Sequence, residues 1–160
     1  GLSKMLVQPY GHNQENVNVQ WAKDWHTWLV YAFSLLGIRY MLDIVSVSSM
    51  PLGLGWTITH LLHFVITFYL FHWAKGTAFY SDRKDVAKLT LWEQIDGERA
   101  FTPTKKFLTV VVVALFIVTW HQNDYSMDAA NIVNWVAFAV LLVAKLPIVH
   151  RVRFFGINKD

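Results

Sequence analysis

The sequence predicts an all-α integral membrane protein: a bundle of four transmembrane helices, both termini cytosolic, with a short amphipathic helix in a central cytosolic loop. Three observations carry this. Hydrophobic residues make up 54% of the 160 and charged residues only 16%, with a mean hydropathy of +0.32; a soluble domain of this length needs less apolar surface. Four apolar runs approach the roughly 20 residues needed to cross a ~30 Å hydrocarbon core. Lys and Arg are concentrated in alternate connections, the pattern of the positive-inside rule.

Residues 1–25 are polar, with Pro9, Gly11, Asn13, Asn16 and Asn18, and read as an extended arm that orders only against a partner or the bundle. They lack the apolar core of a secretory signal. Trp21, Trp25 and Trp28 then mark a bilayer interface, where an apolar ring with one N–H donor is well placed. Residues 26–160 form the predicted membrane domain. Its first span covers 28–47 and contains Arg39 and Asp43, four apart on one face and so able to pair near the span's far end. A charge-free turn with Pro51, Gly53 and Gly55 leads to span two, 54–74, with His60, His63 and His72.

The loop 75–106 holds seven of the fourteen Lys/Arg and five of the eleven Asp/Glu. Within it Val86, Leu89, Trp92 and Ile95 recur at three-residue intervals, predicting a narrow amphipathic helix over 82–96 that lies on the membrane or docks on a partner. Spans three and four cover 107–122 and 129–149, and the tail HRVRFFGINKD is basic and aromatic. Lys145, close to the end of span four, is expected to reach for the interface. The arm, the loop and the tail all carry Lys or Arg, whereas 48–53 and 121–128 carry none. That asymmetry places both termini and the loop in the cytosol.

The chemistry is narrow. Without cysteine there is no disulfide framework, thiol catalysis or cysteine metal site. A net charge of +3 is too small to suggest nucleic acid. His60 and His63 share a helical face, but the seven histidines are scattered and no H-E-x-x-H occurs, so hydrogen-bonded histidines explain them better than a metal or haem site. Glu93 and Asp96 read as a solvated helix face rather than an acid–base pair, since no nucleophile, phosphate loop or metal motif accompanies them. No catalytic residue and no metal ligand is assigned. A small four-span protein of this kind is more often a subunit or regulator than an enzyme.

Particular motifs then carry a resemblance. KGTAF (75–79), WEQID (92–96), KKFLTV (105–110), AKLP (144–147) and HRVRFFGIN (150–158), in this order and spacing, resemble the Orm/ORMDL family, the ORM1-like regulators of serine palmitoyltransferase. The similarity covers about residues 16–159. It implies a multi-pass endoplasmic-reticulum protein that is not an enzyme and needs no cofactor. Such a protein binds the membrane subunits of serine palmitoyltransferase and restrains sphingolipid synthesis when ceramide is plentiful. In the family an Asn in an N-x-N motif before span one holds the ceramide head. Asn16-Val17-Asn18 stands there, making Asn18 the matching residue; its carboxamide offers two donors and an acceptor to the lipid's amide and hydroxyls. Leu70 and Phe116 stand where animal members place aromatics along the lipid cleft. Asn16, Trp28, Trp92, Glu93 and Gln94 are the candidate partner contacts. The alternative is a structural accessory subunit of another large membrane complex.

Overall fold

The computed structural model describes residues 16–46, 50–77 and 86–153, and among them the chain is helical with no strand. Asn16 caps a first turn, α1 (Val17–Gln20), which runs on as a 3-10 turn through Lys23. Four long helices follow: α2 (Trp25–Val45), α3 (Leu52–Phe68), α5 (Pro103–Gln122) and α6 (Ala129–Lys145). The short α4 (Leu91–Gln94) lies between α3 and α5. Three helices are long and apolar enough to cross a membrane: α2, α5, and α3 counted with its extension to Trp73. α6 is apolar but shorter, at 17 residues.

Local chemistry sets the helix ends. Asp24 accepts a hydrogen bond from the backbone N–H of His26, so α2 starts three residues earlier than its apolar run. Thr102 caps α5 and Pro103 occupies its first turn. Asp128 caps α6 through the N–H of Asn131 at 2.8 Å. Pro147 ends α6 early, because the residue before a proline is driven out of helical geometry; Leu146 is extended, and a 3-10 turn, Pro147–Val149, replaces the expected last helical turn. At the end of α3 one wide turn, Tyr69–Trp73, has π geometry, with Ala74 N–H donating to Tyr69 O at 2.8 Å.

α3, α5 and α6 pack against one another, while α2 leans mainly on α3. Only Leu35 and Arg39 of α2 are buried. Arg39 pairs with Asp43 as their spacing predicts, and its guanidinium lies against α3 at Gly55 and near the ring of Trp56. Gly55 makes this possible, since a Cβ there would lie 2.5 Å from Arg39 Cζ.

The two ends of the bundle are built differently. At the end that carries the α5–α6 turn, Asn123 Nδ2 donates to Gly53 O, Thr57 Oγ1 and Thr119 O at 2.8–3.3 Å. Asn134 Nδ2 donates to Thr57 Oγ1, and Asn134 Oδ1 lies 3.0 Å from His60 Nδ1. At the loop end, Val19, Ala22, Phe71, Trp92, Ile95 and Leu108 form an apolar core. Burying side chains such as Trp92 and Ile95 contributes roughly 1.5–3 kcal/mol each.

Two expectations change here. Residues 86–90 form turns and a single bridge between Thr90 and Lys75, so the described part of 82–96 is helical only at Leu91–Gln94. Val86, Trp92 and Ile95 are buried in the protein rather than laid on a membrane. Residues 16–23, expected as part of an extended arm, are helical and packed, with Asn18, Val19 and Ala22 buried.

Candidate functional site

The recognisable motifs meet at the loop end, and α4 is where they meet. Thr90 and Glu93 form a capping box: Thr90 Oγ1 accepts from Glu93 N–H, and Glu93 Oε2 accepts from Thr90 N–H at 2.8 Å. This fixes the four-residue helix firmly enough to aim four consecutive side chains in different directions.

Gln94 points at the N-terminal segment. Its Oε1 accepts from Asn16 Nδ2 and from Asn18 Nδ2, both at 2.9 Å. Its Nε2 donates to Gly76 O at 2.7 Å and to Leu89 O at 3.1 Å. A carboxamide has two lone pairs on oxygen and two N–H donors, so every hydrogen-bonding position of this 1% exposed side chain is used. Gly76 is held for the purpose: its φ of +82° suits glycine, and its N–H donates to Leu89 O at 3.0 Å.

Glu93 points at the tail. Arg153 reaches both of its carboxylate oxygens, at 2.5 and 2.8 Å. Burial pushes the Glu93 carboxyl up, but the Arg153 bonds and the Thr90 N–H outweigh it and hold it below the ordinary 4.5. The same contact raises Arg153 further. Glu93 is thus no solvated carboxylate: it is 3% exposed and paired. Trp92 packs edge-on to Phe71 and carries two ammonium groups near its ring, Lys145 at 4.0 Å and Lys105 at 5.6 Å. Lys145 is therefore buried under an aromatic rather than reaching for the interface. Ile95 is wholly buried in the apolar core.

The structure separates the expected site residues. Asn16 and Asn18 join Gln94, with Asn18 Nδ2 also 3.4 Å from Gly76 O. Trp28 Nε1 donates to Ala22 O at 2.7 Å and its ring stacks on Phe107, so it ties the N-terminal turn to α2 and α5. Trp92, Glu93 and Gln94 face the chain's own interior. Leu70 is exposed on the π turn. Phe116 is buried far along α5 among Phe138, Trp135, Trp120 and His60, and so does not share the surroundings of Asn18. His60 bonds Asn134 and His63 bonds Tyr31; among the described residues no three His, Asp or Glu side chains converge as for a metal.

Sequence reasoning missed that Gln94 and Glu93 bind their own chain, and that Lys145 belongs to the same junction. The available signal was the joint spacing of the motifs, whose side chains turn out to touch. Phe154–Asn158 of the tail motif and residues 78–79 of KGTAF lie outside the described residues.

Comparison with known proteins bears on the same segments. The profile described as the ORMDL family matches residues 16–153, the stretch from the first clamped asparagine to the tail arginine. An ORM1-like protein of Drosophila melanogaster is 36% identical over 150 residues, covering 93% of this chain and 96% of the relative. The ORM1-like protein 2 of Homo sapiens is 33% identical, covering 92% and 95%. Protein ORM1 of Saccharomyces pastorianus is 31% identical, covering 86% and 91%.

Proposed function

Since this chain belongs to the ORMDL family, we propose that it is a non-catalytic regulatory subunit that binds the membrane part of serine palmitoyltransferase. It restrains sphingolipid synthesis when ceramide accumulates, in the endoplasmic-reticulum membrane. In this reading α2, α3 with its π turn, α5 and α6 are four spans, the last completed by the 3-10 turn after Lys145. The N-terminal segment, the loop and the tail, which touch one another, then share the cytosolic side, in keeping with their Lys and Arg. The long apolar face of α2, with Val30, Phe33, Leu36 and Tyr40 exposed, is free for lipid or for a partner's membrane helix.

The observation that carries the reading is the clamp on Asn16 and Asn18. The chain's own Gln94 holds the N-x-N motif at the end of the bundle, so the arm before Asn16 starts from a fixed point. Ceramide seated against Asn18 would order that arm, and the ordered arm would obstruct acyl-CoA or product passage. Ligand contacts would offset the entropy of ordering it.

The test is the reconstituted enzyme complex with Asn18→Ala. Ceramide inhibition is expected to weaken while co-purification persists; full ceramide sensitivity would overturn the sensor assignment. Recovery of the wild-type chain in mild detergent with another large assembly, and without serine palmitoyltransferase, would instead favour an accessory structural subunit.

A further inference from the structure

One edge of the Asn18 carboxamide is committed within the chain, and backbone carbonyls decide which edge it is. Gly76 O and Leu89 O can only accept, so the end of Gln94 turned to them, at 2.7 and 3.1 Å, is its NH₂ group. Oε1 is thereby turned to the N-x-N motif. It too can only accept, so Asn16 and Asn18 each offer Nδ2 to it, both at 2.9 Å. Asn18 Nδ2 also faces a second acceptor, Gly76 O, at 3.4 Å. Asn16 is fixed independently in the same sense, because its Oδ1 accepts from the backbone N–H of Asn18 at 3.1 Å.

An unconstrained amide can turn over to suit either a donor or an acceptor. Asn18 cannot. Turned over, its Oδ1 would stand against Gln94 Oε1 and Gly76 O, which loses both bonds and sets oxygen against oxygen. The two N–H donors that the residue type offers to a lipid are thus engaged by the chain itself, and whatever meets Oδ1 has to donate.

We infer that Gln94 is a positioning residue that makes Asn18 a reader of hydrogen-bond donors: the ligand is recognised there through a hydroxyl or an amide N–H, and its carbonyl is not read by Asn18. This rests on Asn18 being the ceramide contact proposed above. Ceramide carries hydroxyls and an amide N–H and so qualifies. A lipid that presents only acceptors would set oxygen against Oδ1 and leave a desolvated acceptor without a donor. Within α4 the labour is divided: the NH₂ of Gln94 holds the loop, and its oxygen sets what the N-terminal segment can recognise.

The test is inhibition of the reconstituted serine palmitoyltransferase complex by a short-chain ceramide and by the same lipid methylated on its hydroxyls and amide nitrogen, which keeps the carbonyl and loses every donor. The methylated lipid is expected to need roughly tenfold more for half-inhibition, the loss of one hydrogen bond to a buried oxygen. A ceramide with the same methyl groups on its acyl chain controls for bulk and is expected to match the parent. Gln94→Glu still offers oxygen to Asn16 and Asn18, and is expected to respond to ceramide within about twofold of wild type, whereas Gln94→Leu responds roughly tenfold more weakly. A merely structural role would impair both alike, because each lacks the NH₂ group that holds Gly76 O and Leu89 O. A methylated lipid as potent as the parent, or no more impaired than the bulk control, overturns the inference. So does a Gln94→Glu loss of roughly tenfold, which decides even where Gln94→Leu fails to assemble with the enzyme. Full ceramide sensitivity in Asn18→Ala removes the sensor reading itself; a blunted Asn18→Ala beside an equipotent methylated lipid removes this inference alone.

Discussion

The two ends of this bundle solve the same problem with the same functional group, a carboxamide. At one end Asn123 and Asn134 staple α3, α5 and α6 to each other; at the other Gln94 staples loop and N-terminal segments that are barely helical. The difference lies in what each carboxamide replaces. Helices satisfy their own backbone, so Asn123 and Asn134 add register and close approach to a packing that exists without them. The segments around Gly76 and Leu89 have carbonyls with no helical partner, and Gln94 gives each of them a donor. A polar contact between helices tunes; one between loops holds the local structure in place.

That contrast predicts unequal losses. Gln94→Leu is expected to be the most damaging change, since it removes four hydrogen bonds at once, those to Asn16, Asn18, Gly76 O and Leu89 O; about 3 kcal/mol or more is expected. Thermal unfolding in detergent should show the loss, and limited proteolysis should cut at residues 16–24 before the long helices open. If those residues stay protected, the N-terminal segment is held by its apolar contacts and the contrast between the ends collapses. Next comes Gly53→Ala. Its Cβ would lie 2.5 Å from Asn123 Oδ1 and 2.7 Å from the backbone Gln122 O, so α3 and α5 must part, at roughly 2 kcal/mol in the same unfolding assay.

A smaller effect is expected at Glu93. Its folded pKa lies below the unfolded one, so the Arg153 contact contributes fully above the ordinary 4.5 and is lost as pH falls through the lower folded value. Contributing on the order of 1 kcal/mol, it should appear as an acid-side drop in stability that Glu93→Gln lacks; identical pH profiles would rule it out. The mildest change is Gly55→Ala. The atoms it meets belong to the mobile end of Arg39, and that side chain can shift, leaving a loss under about 1 kcal/mol. A Gly55→Ala loss matching that of Gly53→Ala would show that Arg39 is as rigidly set as the backbone.

The long helices were legible because apolar length is a local signal, whereas the caps Asp24 and Thr102 and the stop at Pro147 moved three helix ends away from the expected bounds. The spacing of Val86, Leu89, Trp92 and Ile95 misled because a three-residue rhythm of apolar side chains also arises when successive turns face one core. Nothing in the sequence around Gln94 says which partners its carboxamide finds, since Asn16 and Gly76 lie 78 and 18 residues away. Lys145 misled for a related reason. A lysine near the end of an apolar run usually extends toward water, and only the placement of Trp92 gives it an inward alternative.

The wide turn at Tyr69–Trp73 has a consequence for how the chain tolerates length change. A π turn carries one residue more than the α turn it replaces, and each helical residue advances the side chains by about 100°. Deleting a single residue there would restore a regular helix and swing Phe71 away from Trp92 and Lys145, although no motif had been altered. The surplus residue acts as a phase adjuster between α3 and the junction beyond it. A chain of the same composition, one position shorter at this turn, would keep its long helices and lose their alignment with α4.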